Sequence, residues 1–134
     1  CAYVATASTA FMEDLYAKLD RAIEASKRGF AYLHIYSPCT TGWRFPSKDN
    51  IEVARKAVET NFVMLWEFDP AGGPRLTRPV DDPLPLADYL KAQGKYRHLS
   101  SEQLAHIEAG VARQTAFIKG LQRKAPAGRA IAAD

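Results

Sequence analysis

The chain has 134 residues, of which 47% are hydrophobic and 25% charged, with a net charge of +3. That balance suits one compact soluble domain or part of one, and it argues against a nucleic-acid surface, where basic residues would form a dense stripe. No apolar stretch approaches the roughly 18 residues that span a bilayer. The two cysteines, Cys1 and Cys39, show no CxxC spacing, which excludes a disulfide framework and a self-contained metal site and points to reduced thiols in a cytoplasmic setting.

The start, CAYVATAS, has no basic n-region and does not read as a signal peptide. It opens on Cys1 inside an apolar run, so a chain lacking its amino-terminal part is expected. Ala2–Thr6 reads as a short strand. Ser8 and Thr9 offer hydroxyls for a helix N-cap, and Glu13 and Asp14 place acidic charge at the positive end of the helix dipole. Phe11, Leu15, Leu19 and Ile23, with Met12, Tyr16 and Ala22 beside them, predict an amphipathic helix over 10–26. Lys27-Arg28-Gly29 ends it, with glycine at the C′ position.

Phe30–Tyr36 (FAYLHIY) is an unbroken apolar run and reads as a buried strand. Pro38 cannot donate to a ladder, so the strand should end near Ser37. Cys39, in SPCTTGWRFP, then lies just beyond the carboxyl end of a strand, where open α/β sheets place their chemistry. Asp49-Asn50 start a helix with Ile51, Ala54 and Val58 inward and Val53 and Ala57 beside them. Asn61 stops it, and Phe62–Phe68 (FVMLWEF) is a second buried strand with Met64 and Trp66 in its core. Strand, helix, strand, loop, helix, strand predicts parallel, right-handed crossovers in a sheet of three strands at most.

Residues 69–85 carry five prolines and two glycines and read as turns with one edge strand at Arg75–Thr77. Gly72-Gly73 lack a following Lys-Ser/Thr and are no phosphate loop. Leu86–Ala92 is a short helix, and Gly94–Leu99 is a basic, aromatic connection. Ser100-x-x-Gln103 is a capping box. It opens a long helix with Leu104, Ile107, Val111, Ile118 and Leu121 on one face, which packs on a partner or on its own domain. The clearest basic cluster is late, at Lys119, Arg123, Lys124 and Arg129, and the tail 125–134 is expected to be disordered. The expected divisions are an α/β part (1–68), an extension (69–124) and this tail.

Cys39 carries the sharpest chemical question. A lone loop cysteine is most often structural. A nucleophile needs a base, and His34 lies in the preceding strand, where a core histidine is the simpler reading. A metal ligand needs three partners from elsewhere, although Pro38 stiffens the approach and Gly42 lets backbone come close to a bulky group. Backbone N–H groups in such a loop can also tune a cluster through its sulfurs. His98 and His106 read as surface residues. Arg44 reads as solvated or salt-bridged, Trp43 and Phe45 as packing, and Asp81 and Asp82 show no catalytic spacing. Cys1 receives no role.

YVATAS at Tyr3–Ser8, HIYSPCTTGWRFP, IEVARKAVET at Ile51–Thr60 and LADYLKAQGKYRHLSSEQ at Leu86–Gln103 together resemble the beta subunit of 2-oxoacid:ferredoxin oxidoreductases, of which pyruvate synthase is the best-known member. The resemblance runs from Tyr3 to about Ile107. It implies the carboxyl-terminal part of a thiamine diphosphate-binding α/β fold, a parallel sheet with flanking helices and a carboxyl-terminal helical extension. It also implies thiamine diphosphate with Mg2+, and a [4Fe-4S] cluster whose fourth cysteine corresponds to Cys39. The other three cluster cysteines and the GDG…N cofactor motif lie upstream in the family and are not in this sequence.

Thr40 stands where the family often has proline. That departure points to a subgroup with another 2-oxoacid, arylglyoxylate-oxidising relatives with NAD as final acceptor being one option. The implied reaction is oxidative decarboxylation of a 2-oxoacid with coenzyme A acylation. The implied partners are alpha, gamma and delta-type subunits and ferredoxin or an NAD-linked acceptor subunit, with no nucleic acid and no membrane. On this reading Cys39 is an iron ligand, no residue here is an acid or base, and the chain alone is inactive. Two other readings stand beside it: a non-catalytic α/β module docking through its last helix, and a small thiol enzyme using Cys39.

Overall fold

The computed structural model describes residues 1–124. The expectation for the tail therefore lies outside the described residues. In chain order the elements are β1 (Tyr3–Ser8), α1 (Met12–Ser26), β2 (Ala31–Tyr36), α2 (Thr40–Trp43), α3 (Asn50–Glu59), β3 (Leu65–Asp69), β4 (Gly73–Arg78), α4 (Leu86–Lys91) and α5 (Ser101–Lys124), with 3-10 turns at Ser47–Asp49 and Gly94–Tyr96. The architecture is α/β, as the sequence predicts. No helix among the described residues is long and apolar enough to cross a membrane.

The sheet differs from the expected parallel one. It has four strands in the order β2-β1-β3-β4. Only β1 and β2 pair in parallel, from Tyr3 against Ala31 to Ser8 against Tyr36. β3 runs antiparallel to β1 and to β4, so the predicted edge strand at Arg75–Thr77 is real but longer. The chain reverses tightly after α3. Asn61 takes φ 58°, its N–H donates to the Val58 carbonyl at 2.9 Å, and Val63 N–H donates to the Ala57 carbonyl at 2.8 Å. This turn sends the chain into the sheet from the opposite end. Where the β1–β3 ladder lapses, Thr6 replaces it: its hydroxyl donates to the Met64 carbonyl at 2.6 Å and accepts from Trp66 N–H at 3.1 Å.

The FAYLHIY run forms an edge strand, and none of its residues is buried. A strand that reads as core by composition stands at the border of the sheet, with Phe30, Tyr32 and Ile35 exposed. His34 is exposed as well, so it is no core histidine. α1 shows a similar shift. Its inner face is Leu15, Lys18, Ala22 and Ala25, at helical spacing, whereas Met12, Tyr16 and Ile23 face outward. Ser8 and Thr9 do not cap it; Phe11 holds the N-cap position without a side-chain bond. Gly29 adopts no left-handed conformation, and the helix closes through Lys27. In α3, Val53, Ala54, Ala57 and Val58 are buried as the periodicity requires, but Ile51 is exposed.

Two buried charges fasten α1 to the sheet. The Lys18 ammonium has three donors and uses all of them, on the Thr6 carbonyl (2.7 Å), Asp14 Oδ2 (2.6 Å) and Thr77 Oγ1 (2.7 Å). Burial lowers its pKa, and Asp14 opposes that shift. The Glu67 carboxylate accepts from Tyr3 Oη, Arg21 Nη1 and Arg75 Nε, each at 2.6 Å. Burial pushes this carboxyl up, yet the three donors outweigh it and hold its pKa below the ordinary value. The Tyr3 hydroxyl is raised correspondingly, first by its burial and then by Glu67.

Three apolar clusters complete the packing. One, of Tyr3, Ala5 and Ala25, lies between α1 and the sheet, and Phe11, Val58 and Leu65 form a second. In the third, Phe45, Val53, Ala57, Leu86, Tyr89 and Leu90 join α3 to the extension, with Leu104, Ile107 and Val111 of α5 packed on them. The stripe of the long helix is thus covered by its own chain over its first three turns.

Two stability predictions follow from the charges. Lys18→Met leaves Asp14, Thr77 and a carbonyl without their partner and should cost about 3–5 kcal/mol of unfolding free energy. Glu67→Gln should cost about 1–3 kcal/mol, because its arginines are partly exposed and can be rehydrated. The Glu67 contribution carries a defined pH sign. Its folded pKa is depressed, so the contribution is complete above the unfolded carboxyl value of about 4.3 and vanishes as pH falls through the folded value. Urea titrations should show a constant gap between wild type and Glu67→Gln above about pH 5. That gap should shrink in acid.

Candidate functional site

SPCTTGWRFP leaves β2 at its carboxyl end, where the sequence places it. Cys39 is a free, exposed thiol at the N-cap of α2, and its Sγ accepts from Gly42 N–H at 3.3 Å. A Cβ on Gly42 would stand 3.3 Å from that sulfur, so glycine here keeps the amide and the thiol in close approach. Asn50 Nδ2 donates to the Pro38 carbonyl at 3.0 Å and ties the loop to the start of α3. Thr9, whose N–H donates to the Tyr36 carbonyl at 3.2 Å, borders the loop on the β1 side. Its hydroxyl is buried without a hydrogen-bond partner among the described residues.

The loop is held from below and from the side by aromatic groups. The Tyr36 and Trp43 rings lie 5.8 Å apart, and the Tyr36 and Tyr89 hydroxyls share a hydrogen bond of 2.6 Å. Burial raises the pKa of both phenols, so this pair stays protonated at neutral pH. Phe45 is buried, Trp43 half-buried, and both belong to the cluster that includes α4. The sequence leaves their packing open between the domain interior and a subunit contact, and here both pack against the domain's own cluster.

The extension closes the other side. Arg44 takes φ 58°, a left-handed conformation costly for a residue with a Cβ. Gly94 N–H donates to its carbonyl at 3.1 Å. The contact is tight, since a Cβ on Gly94 would lie 2.7 Å from Arg44 Cβ and 2.9 Å from its carbonyl oxygen. The next residue, Lys95, sets its ammonium 3.4 Å from the centroid of the Trp43 ring and 4.7 Å from that of Tyr96. Burial lowers the Lys95 pKa, and the neighbouring Cys39 charge opposes that shift. Lys95 is the site residue that sequence reasoning missed. The signal was present in the basic, aromatic GKY, which reads as a connection until the fold lays it against the SPC loop.

His34 is exposed on β2, and no group of three or more His, Cys, Asp or Glu residues that could hold a metal ion occurs among the described residues. His98 and His106 are on the surface as predicted, and Asp81 pairs with Lys119 at 2.9 Å. The donor chemistry of the loop fits one thiolate ligand of an iron–sulfur cluster: an accessible sulfur with a backbone N–H aimed at it. The described residues do not fit a clamp for a diphosphate with its magnesium ion, which needs a set of oxygen donors around the metal.

No protein-family model matches the chain. It is 66% identical over 128 residues, 96% of its length, to the beta subunit of NADH-dependent phenylglyoxylate dehydrogenase from Aromatoleum evansii. It is 45% identical over 107 residues (79%) to pyruvate synthase subunit PorB from Methanothermobacter thermautotrophicus. It is 33% identical over 120 residues (89%) to ketoisovalerate oxidoreductase subunit VorB from Pyrococcus furiosus. The chain spans 29%, 36% and 38% of the length of these relatives. By class, then, the relatives are oxidoreductase subunits that bear the names of 2-oxoacid enzymes. The chain belongs with the beta subunits of the 2-oxoacid:ferredoxin oxidoreductases.

The Gly94–Arg44 contact makes its own prediction. Gly94→Ala should cost about 1–3 kcal/mol, read from urea unfolding, because the added methyl meets backbone as well as side chain. In an Arg44→Gly background the same change should cost less, since one of the two clashing partners is gone.

Proposed function

We propose that this chain is the part of a 2-oxoacid oxidoreductase beta subunit that supplies one thiolate, Cys39, to a [4Fe-4S] cluster. The observation that carries the reading is an exposed cysteine at the carboxyl end of β2, bonded by an amide and walled by aromatics, in a chain 66% identical to such a subunit. The enzyme would carry out thiamine diphosphate-dependent, coenzyme A-acylating oxidative decarboxylation. The diphosphate and its Mg2+ would be held by residues outside this chain, and alpha, gamma and delta-type subunits would complete the assembly in the cytoplasm. The higher identity to the phenylglyoxylate enzyme than to pyruvate synthase supports an aryl 2-oxoacid as substrate and an NAD-linked acceptor in place of ferredoxin.

A cluster of this kind accepts electrons one at a time. The residues of this chain bind and shield it. Cys39 binds iron as the deprotonated thiolate, and Gly42 N–H draws electron density from its sulfur. Asn50, through the Pro38 carbonyl, and the Arg44–Gly94 contact fix the direction in which the sulfur points. Tyr36, Trp43 and Tyr89 keep water from the inner side of the loop and hold their protons, so they contribute no acid–base step.

The test is Cys39→Ser in the intact enzyme. The subunits should still assemble, while iron analysis and EPR show the loss of one cluster. A full cluster complement in that variant overturns the assignment. Substrate choice is read separately: kcat/KM for phenylglyoxylate should exceed that for pyruvate by at least about tenfold, the discrimination that a shaped apolar pocket provides.

A further inference from the structure

Cys39 does not stand beside neutral groups alone. Apart from Arg44 of the loop itself, the extension brings Lys95 against it, and two independent features fix that cation in place. The Trp43 ring lies under the ammonium at 3.4 Å and the Tyr96 ring at 4.7 Å, so two π faces hold one charge. The backbone of the 94–96 turn is pinned to the loop through Gly94 N–H and the Arg44 carbonyl. The approach is so close that only glycine fits at position 94. Lys95 makes no ion pair among the described residues, whereas Lys18, Arg21, Arg75 and Lys119 all do. Its charge is therefore partly desolvated, not neutralised by a carboxylate, and directed at the Cys39 loop.

We propose that Lys95 is a positioning residue that sets the reduction potential of the cluster bound through Cys39, by holding a fixed positive charge beside it on the Trp43–Tyr96 cradle. This rests on the assignment of Cys39 as a cluster ligand. Reduction adds one electron to the cluster core, from the 2+ to the 1+ state, with no bond made or broken at the protein and no proton taken up. In turnover the electron comes from oxidation of the 2-oxoacid, and in a titration it comes from dithionite. A partly desolvated cation seated on the Trp43 ring of the same loop favours the state with the extra negative charge. Lys95 thus raises the potential and draws electrons toward this side of the enzyme.

The experiment is an EPR-monitored potentiometric titration of the intact enzyme, comparing wild type, Lys95→Met and Lys95→Arg, with Cys39→Ser identifying which signal belongs to this cluster. Lys95→Met should retain the cluster and weaken its one-electron reduction about tenfold, a lowering of about 59 mV. Lys95→Arg, which keeps the charge and stacks on the same rings, should stay near wild type. Equal potentials in wild type and Lys95→Met, with the cluster present in both, overturn the proposal while leaving Cys39 as a ligand. An equal drop in Lys95→Met and Lys95→Arg also overturns it, because packing rather than charge would then be the cause. If Cys39→Ser loses no signal, the ligand assignment fails and this proposal fails with it.

Discussion

The buried Glu67 carboxylate is the point at which the separate parts of this small sheet become one structure. It takes donors from β1 (Tyr3), from α1 (Arg21) and from β4 (Arg75), while sitting on β3. Lys18 makes the converse arrangement one turn away, a buried cation on α1 that reaches the backbone of β1 and the hydroxyl of Thr77 on β4. Neither charge can remain dry without its full set of partners. The register of all three strands and the seat of the helix are therefore specified together, by geometry as much as by apolar area. Ala5, Ala22 and Ala25 pack with Tyr3 between the helix and the sheet.

That anchorage matters for the site because β1 and β2 are the parallel pair, and the SPC loop grows from the end of β2. The loop is not supported by the sheet alone. Its aromatic residues sink into the cluster that joins α3 to α4 and α5, so the extension is part of the wall around Cys39. The strained Arg44 and the glycine that docks on it belong to the same contact. Strain of this sort survives only where neighbouring structure holds it, and here the neighbours are the Gly94 amide and the packed Trp43.

Local chemistry was legible where a residue acts on its immediate neighbours. The Ser100–Gln103 capping box forms in both directions, at 2.9 and 3.2 Å. Asn61 ends α3 in the left-handed conformation, and the Pro/Gly-rich stretch carries one edge strand. The position of Cys39 after β2 was legible for the same reason, since Pro38 stops a strand wherever it falls. The charged pair was not. Lys18 lies on the inner helical spacing with Leu15, Ala22 and Ala25, and Glu67 interrupts an apolar run, yet charged residues are read as solvated unless their partners are known. Four of those six partners are 12 to 64 residues away, Asp14 and Arg75 being nearer at 4 and 8.

By itself the sequence determined the α/β class, the four longer helices, the proline that ends β2, and a cysteine loop with the likeness of a known family. Tertiary structure decided the direction of β3, the exposure of FAYLHIY on an edge, the burial of Lys18 and Glu67, and the delivery of Lys95 to the cysteine loop. The division has a physical cause. Periodicity and capping depend on residues a few positions apart, whereas strand direction, edge position and the pairing of a buried charge depend on which distant segment arrives to satisfy it.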